Sequence, residues 1–443
     1  MHTSTSTPSV HSASRFYPWF IWLLGCSFYF YENLIQVSPG VMSDNLINEF
    51  GIHGAVLGSA IAFFFYAYAP MQMPVGVLVD NYNVRYLLTG ATLSCVAGCF
   101  LFAIAPSIIF IGAGRFFIGF GAAFAAVCTM KIATNWFTPK QFSLLVGFMV
   151  TIGMSGSIFG QAPLAHLVEN VGWRQAMATL AFIGLFLAAL IVLFVRHSPT
   201  LSRSFSANEK LDENSATTNS NLLEGLKLVL THKQSWWIAI YGGLMFATTS
   251  IFGGLWGVPF FQSVYGLSKT TAAELNSMLF FGWVFGAPLS GILVRMLSSH
   301  KFVMLLSSIV SFFCMFIIIY VNTLSINMYY YLTFALGLFS SFFLPSFTLM
   351  ALIHSKKMAG SALGFMNMAN MVGGALGQPL VGYLLDTSFK LQHSSTVAKA
   401  LEKANDLPYN TLDYQVALSI LPLMMLASIV LWFFIEEKSP DSF

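Results

Sequence analysis

Runs of about 20 apolar residues alternate with short polar stretches along almost the whole chain. A run of that length crosses the ~30 Å hydrocarbon layer of a bilayer when it folds as an α-helix. Such segments occur at residues 17–39, 55–79, 86–105, 108–134, 142–165, 175–195, 236–261, 272–294, 302–321, 328–353, 360–385 and 414–435. The pattern therefore predicts twelve membrane-spanning helices, which we number spans 1 to 12.

The polar stretches divide these spans into two sets of six. Residues 197–221 are rich in Ser, Thr and Asn and predict a linker, and Leu222–Leu230 has the pattern of a short amphipathic helix lying on the membrane. The Ser/Thr-rich residues 1–15 lack the features of a signal peptide and predict a disordered tail. The expected domains are a six-helix bundle at 16–196, a linker region at 197–235, a second bundle at 236–436 and a tail at 437–443.

One segment occurs twice. Residues 147–161 recur as residues 364–378, at an offset of 217, and seven of the fifteen positions are identical. The identical positions include Gly156/Gly373, Gly160/Gly377 and Gln161/Gln378. Both copies carry Gly-x-x-x-Gly, which lets two helix backbones approach closely inside lipid. Because the offset is close to half of 443 residues, the repeat predicts two related halves, as in internally duplicated transporters.

Composition narrows the class of protein. Hydrophobic residues make up 56% of the chain, charged residues 8%, and the mean hydropathy is +0.73, which predicts an integral membrane protein. A net charge of +3 without a basic arm argues against nucleic-acid binding. The five cysteines lie in apolar segments, so neither a disulfide framework nor a metal site is expected. Phosphate-loop, zinc-protease and nucleophile-elbow motifs do not occur in the sequence, so we expect no enzyme activity and no cofactor.

Lys and Arg residues are distributed unequally between the two sets of loops. Most of them fall on the side that holds both chain ends, and this excess predicts that both termini are cytoplasmic. The sequence contains no Asn-x-Ser/Thr glycosylation site, which favours a bacterial inner membrane over a eukaryotic cell surface.

The loop after span 2 carries a recognisable motif. Gly76-Val-Leu-Val-Asp80-Asn-Tyr-Asn-Val-Arg85 resembles the signature loop of the major facilitator superfamily, although residues 81, 83 and 84 depart from it. Residues 114–121 and 172–174 are also similar to family patterns. The resemblance implies an all-α membrane fold of twelve helices in two six-helix bundles. It also implies that Gly76, Asp80 and Arg85 belong to a charge latch that holds the halves together when the outside is open, here weakened by the departures.

Two narrower groups share further stretches with this chain. Residues 29–33, with 114–116 and 135–137, look like the lysosomal dipeptide-transporter branch of the family. The same stretches, with residues 36–39, are also similar to amino-acid carriers of intracellular bacteria. Either resemblance would imply an amino acid or a short peptide as the solute.

Two ionisable residues fall deep inside predicted spans. A charge at membrane depth is costly unless it faces protein or water, so Glu32 of span 1 and Arg115 of span 4 are functional candidates. Counting ~1.5 Å per residue from the helix ends places them at similar depth. Glu32 could take a proton or a substrate ammonium, and Arg115 could pair with Glu32 or with a substrate carboxylate. The alternative is a fixed structural ion pair.

Uncharged polar residues add further candidates. Tyr29, Glu32 and Gln36 share one face of span 1, which predicts a cavity-facing stripe or hydrogen bonds to a neighbouring helix. Three polar residues of span 11 could likewise either form helix–helix hydrogen bonds or take part in gating or substrate contact. The span 11 residues are Asn367, Asn370 and Gln378. Trp256 of span 7 could be a cavity wall or gate, or an anchor at the membrane interface.

These observations lead to one functional hypothesis with two alternatives. We expect a secondary transporter that moves a small zwitterionic solute, such as an amino acid or short peptide, by alternating access, either coupled to protons through Glu32 or running as a uniporter. The abundant Phe and Met residues leave open an exporter of drugs or of a siderophore. A non-transporting sensor on the same fold is the third hypothesis. The expected partners are the solute, protons and the lipid bilayer, and the expected state is a monomer.

Overall fold

The computed structural model describes residues 16–195, 227–355, 358–393 and 409–437. Within those ranges it is nearly all helical, and no strand occurs there. The predicted tail at 1–15, the linker at 197–221, the first part of the amphipathic segment Leu222–Leu230 and all but the first residue of the predicted tail at 437–443 lie outside the described residues.

The helices of the N-terminal half follow the predicted apolar segments closely. Span 1 is Tyr17–Val37, continued by a 3₁₀ turn at Ser38–Met42 and a short helix at Ser43–Phe50. Spans 2 and 3 are Gly54–Asn81 and Val84–Ala103. The remaining three are span 4 (Ile108–Ala122, Ala125–Trp136), span 5 (Pro139–Phe159, Ala162–Val171) and span 6 (Trp173–Phe194).

The C-terminal half repeats this order with a different first helix. Span 7 begins as an α-helix at Lys233–Ala247, becomes a π-helix at Thr248–Trp256 and returns to α at Gly257–Tyr265. The others are span 8 (Lys269–Leu297), span 9 (His300–Tyr320), span 10 (Ile326–Ser340, Ser341–Phe343, Pro345–Leu352), span 11 (Ala359–Gln392) and span 12 (Thr411–Leu418, Ile420–Trp432).

Ten of these spans, in the described part of the chain, are long and apolar enough to cross a membrane. The two that fall short in apolar character are span 1 and span 11. Span 1 carries Glu32, Asn33 and Gln36, and span 11 carries four side-chain amides. The two most polar helices are therefore the ones that hold most of the predicted site residues.

The two halves meet along spans 2 and 11 and along spans 5 and 8. We call the face that holds Tyr17 and Trp432 the terminus side, and the opposite face the far side. On the far side, Gly54 and Gly382 are so close that a side chain at Gly382 would collide with the Gly54 carbonyl oxygen. Glycine is required there because only hydrogen fits between the two helix backbones.

The terminus side is different. Each of the four interface helices carries a glycine near that side, and no described atom lies within 4 Å of where its Cβ would stand. These glycines are Gly76, Gly147, Gly291 and Gly360. Contacts between the described residues of the two halves thus run from the far side to the Asn367–Gln72 hydrogen bond, and nearer the terminus side these four positions face nothing of the opposite half.

Candidate substrate site

A small cavity of about 40 Å³ lies between the two halves. Spans 1, 2 and 5 of one half and spans 7, 8 and 11 of the other supply its walls. Its polar lining residues are Asn33, Gln36, Ser157, Thr249, Ser250 and Gln378, and its apolar ones are Val37, Phe65, Met154, Phe246, Gly254 and Phe280. Polar groups on apolar walls are the usual make-up of a small-molecule site.

Glu32 does not line this cavity itself, but its neighbour Asn33 does, and Glu32 is only 3% exposed. One carboxyl oxygen, Oε1, accepts a hydrogen bond of 3.0 Å from Nδ2 of the neighbouring Asn33. The other oxygen, Oε2, is buried and has no partner within the described residues. A buried polar atom without a partner is costly, and an incoming proton or ammonium group would satisfy it.

A polar cluster continues from Glu32 towards the terminus side. Asn33 Nδ2 also donates to the Tyr29 backbone carbonyl at 2.8 Å, and the Tyr68 side chain of span 2 lies near Gln72 and Asn367. Asn367 Nδ2 donates to Gln72 Oε1 at 2.7 Å and so joins the two halves.

Sequence reasoning missed Tyr68 and Gln72 in this cluster. Their i, i+4 spacing on span 2 is a polar stripe like the one on span 1, and it could have revealed them.

Arg115 and Glu32 do not pair, which corrects the expected ion pair. Arg115 is 1% exposed, and its guanidinium donates to the carbonyl oxygens of Ile35 and Gln36 at 2.9 Å each. The Ile35 carbonyl would normally accept from the amide four residues later, but that residue is Pro39, which has no N–H. The side chain also lies over the Phe64 ring, 4.8 Å from its centroid. Arg115 therefore holds the end of the α-helical part of span 1.

The π-helical section of span 7 is stabilised by side-chain amides. Gln378 Nε2 donates to the Ser250 carbonyl at 2.8 Å, and Asn276 Nδ2 donates to the Gly253 carbonyl at 2.9 Å. Gln161 Nε2 reaches the same Gly253 carbonyl from the other half at 3.0 Å. The repeated glutamines thus serve different contacts: Gln378 binds within its own half, and Gln161 binds across the interface.

Two further candidates are buried among helices. Trp256 is fully buried and donates from Nε1 to the Gln378 carbonyl, so it is not an anchor at the membrane interface. Asn370 is 2% exposed and packs on Gly242, and its Oδ1 has no partner in the described residues. Of the span 11 amides, only Gln378 borders the cavity.

The residues of the predicted charge latch do not connect the halves in this conformation. Asp80 accepts from Lys131 of its own half at 2.7 Å, and Arg85 lies over the Tyr86 ring. Gly76 faces open space. The terminus side, where these residues lie, is the side on which the halves are apart.

Comparison with known proteins adds the family. The sequence model of the Major Facilitator Superfamily matches residues 21–378. An uncharacterised protein of Campylobacter jejuni is 28% identical over 218 residues, a match that spans 47% of this chain and 62% of that protein.

Solved structures share the fold. A bacterial homologue of the human lysosomal transporter Spinster, inward-facing and occupied, is 15% identical with a TM-score of 0.75, covering 96% of this chain and 97% of that one. Its unoccupied inward-facing form has a TM-score of 0.73 at 15% identity and covers 96% and 98% of the two chains. A mutant of the nucleoside transporter NupG is 14% identical with a TM-score of 0.71, covering 94% and 100%.

Proposed function

The chain belongs to the Major Facilitator Superfamily, and from that membership we propose that it is a secondary transporter for a small zwitterionic solute such as an amino acid or short peptide. The terminus side is cytoplasmic in this proposal, because most of the Lys and Arg residues lie there. The conformation with a joined far side and a separated terminus side is then an inward-facing state. Both structures of the Spinster homologue are also described as inward-facing.

The observation that carries the proposal is the buried Glu32 carboxyl with one unpartnered oxygen next to a cavity shared by both halves. A substrate ammonium group placed there would bond Oε2. The carboxylate end of the solute would accept hydrogen bonds from Gln36 and the hydroxyls of Thr249 and Ser250. Arg115 has no part in binding, because its guanidinium is committed to backbone carbonyls.

Glu32 is also the proposed coupling site. A proton on Glu32 would remove an uncompensated buried charge, and a substrate ammonium would do the same. If both are needed before the halves rearrange, the carrier is a proton symporter. If the ammonium alone suffices, it is a uniporter.

Purified protein in liposomes tests these alternatives. We expect accumulation of a labelled amino acid or dipeptide under an inward proton gradient, and Glu32→Gln, which can neither take the proton nor offer a carboxylate to the ammonium group, should reduce it at least about tenfold. Glu274→Gln makes the same chemical change at an exposed position on span 8 and should transport like the wild type. Full proton-driven accumulation by Glu32→Gln would contradict the coupling role.

The phenylalanine walls of the cavity favour a second candidate, an exporter of drugs or of a siderophore. The solute panel therefore includes a lipophilic cationic dye, a ferric siderophore and a nucleoside beside amino acids and dipeptides. Dye or siderophore transport by folded protein that ignores every amino acid and peptide would replace the first proposal with the second.

A further inference from the structure

The repeat offset of 217 also relates two acidic residues on the far side. Glu169 lies near the end of span 5, and Asp386 occupies the equivalent place on span 11. Each reaches the beginning of a helix in the opposite half: Asp386 reaches span 2 and Glu169 reaches span 8. The two halves are thus closed at equivalent places by equivalent acids.

Asp386 makes the more extensive contact. Its two carboxyl oxygens accept from the backbone N–H groups of Gly54 and Ala55 at 3.0 Å each, and Oδ1 also accepts from the Tyr409 hydroxyl. Gly54 and Ala55 form the first turn of span 2, where N–H groups have no partner within the helix. The N-cap residue, His53, gives this turn no side-chain hydrogen bond. A carboxylate from the other half therefore does the work of the cap.

Glu169 makes the weaker equivalent. Its Oε2 accepts from the Thr270 hydroxyl at 2.6 Å, in the first turn of span 8. Glu169 is exposed, and span 8 already has a cap of its own, because Ser268 accepts from the Thr271 amide. Lys269 reinforces this side by donating to Asn45 of the first half at 2.6 Å.

We propose that Asp386, assisted by Glu169, is a proton-responsive latch that holds the far side closed while its carboxylate is ionised and releases it when a proton binds. An ionised carboxylate is stabilised at a helix N-terminus and accepts from all three donors. A protonated one loses the charge, and its hydroxyl becomes a donor facing other donors. Next to the latch the Gly54 and Gly382 backbones pack closely, and the Gly54 N–H also donates to the Tyr409 hydroxyl at 2.8 Å.

The role of the latch in transport depends on the proposed function. The experiment that tests the latch does not. Under that cycle, acid on the far side would open the far gate, so that protons and solute enter from the same compartment. The proton at Asp386 is separate from the one assigned to Glu32, which lies deep in span 1.

Other titratable groups surround Asp386 and must be distinguished from it. Those on the packed elements are Tyr409, His53, Lys390, Tyr414 and, beside Tyr414, Asp44 and Asp413. Tyr409 stays protonated at every relevant pH, because burial and the Asp386 charge both raise its pKa.

Electron–electron distance measurements on the substrate-free carrier test the latch. Asn170→Cys, in the last turn of span 5, and Thr323→Cys, in the loop after span 9, place spin labels at exposed far-side positions of the two halves, and the five native cysteines are buried. We expect Asp386→Asn to raise the far-open population at least about fivefold at neutral pH, and Glu169→Gln to raise it by no more than about twofold. Acidification should open the wild type and leave Asp386→Asn unchanged.

Three controls make the outcome decisive. Glu32→Gln should keep the acid response, and so should His53→Gln; loss of the response in either variant would assign it elsewhere and overturn the proposal. Tyr409→Phe keeps the carboxylate and removes one donor, so it should raise the far-open population about twofold. This variant preserves a test if Asp386→Asn folds poorly.

Identical distances between the spin labels in the wild type and Asp386→Asn at every pH would also overturn the proposal. Because no solute is present, these results do not depend on which substrate is carried.

Discussion

The first helix of each half loses its α-helical hydrogen bonds at a comparable place, and the two halves repair the loss differently. In span 1 the α-helix ends at Val37, just before Pro39. The charged Arg115 donates to the carbonyls of Ile35 and Gln36 there. In span 7 the break is a nine-residue π-helix, and the carbonyls of Ser250 and Gly253 are taken by neutral amides. One half uses a buried cation, and the other uses amides.

This difference separates two tasks at the cavity. The N-terminal half holds both deeply buried ionisable side chains that we singled out, Glu32 and Arg115, whereas the C-terminal half lines the cavity with the uncharged Thr249, Ser250 and Gln378. Thr249 stands at the repeat position of Glu32. Under the proposed function, response to a proton or a charged group would belong to the first half, and hydrogen-bond selection by neutral groups would belong to the second.

The largest expected effect comes from removing the cation that repairs span 1. Arg115→Met removes two charge-assisted hydrogen bonds and leaves the Ile35 carbonyl only the Ser38 hydroxyl as a side-chain donor, and we expect it to lower the free energy of unfolding by about 3–5 kcal/mol. Thermal unfolding in detergent measures the loss. Lys131→Met, which breaks only an exposed ion pair with Asp80, should cost no more than about 1 kcal/mol. Equal unfolding temperatures for the two variants would mean that water or a neighbouring group takes over the carbonyls of span 1.

A smaller effect is expected from the amides that repair span 7. Gln378→Leu removes the side-chain donor to the Ser250 carbonyl and should cost about 1–3 kcal/mol of stability. Gln161→Leu should cost less, because Asn276 still donates to the Gly253 carbonyl. Since Gln161 donates across the interface, its loss should instead let cysteines introduced on the far side react faster with a thiol reagent. The comparison fails if Gln161→Leu is the less stable of the two.

The smallest effect concerns a surface contact of the N-terminal half. Partial desolvation raises the pKa of Glu49, but hydrogen bonds from Arg174 and Trp173 outweigh it and hold the pKa below its usual value. A lowered folded-state pKa adds stability above the unfolded-state value of about 4.5, and this stability is lost as the pH falls through the folded-state pKa. Because the pair is exposed, we expect at most about 1 kcal/mol. The stability difference between wild type and Glu49→Gln should shrink between pH 6 and pH 3; a constant difference would contradict this assignment.

The fold could be predicted from the sequence because apolar run length and the repeat at 217 depend only on residue type. The structure and the family match confirm an all-α membrane fold of the major facilitator type. The inner position of spans 1 and 11, the two less apolar helices, could also be predicted. Polar side chains inside a membrane need protein or water around them rather than lipid.

The site could be predicted only in part. Helix counting placed Glu32 and Arg115 at the same depth, and Arg115 does bind within one turn of Glu32, at Ile35 and Gln36. Depth does not tell which way a side chain points, and the nearest acceptors were backbone carbonyls that the sequence pattern does not display. The π-helix of span 7 was missed for the same reason, because it depends on amides from three other helices.

The open glycines of the terminus side have a consequence for the entropy of the cycle. Under alternating access, the faces that carry Gly76, Gly147, Gly291 and Gly360 would meet and separate in every turnover. Glycine has no side-chain rotamers to lose, whereas ordering a Lys, Met or Gln side chain costs up to about 2 kcal/mol each time. A surface of this kind closes without freezing side chains and opens without needing to release them. The two states can therefore stay close in free energy.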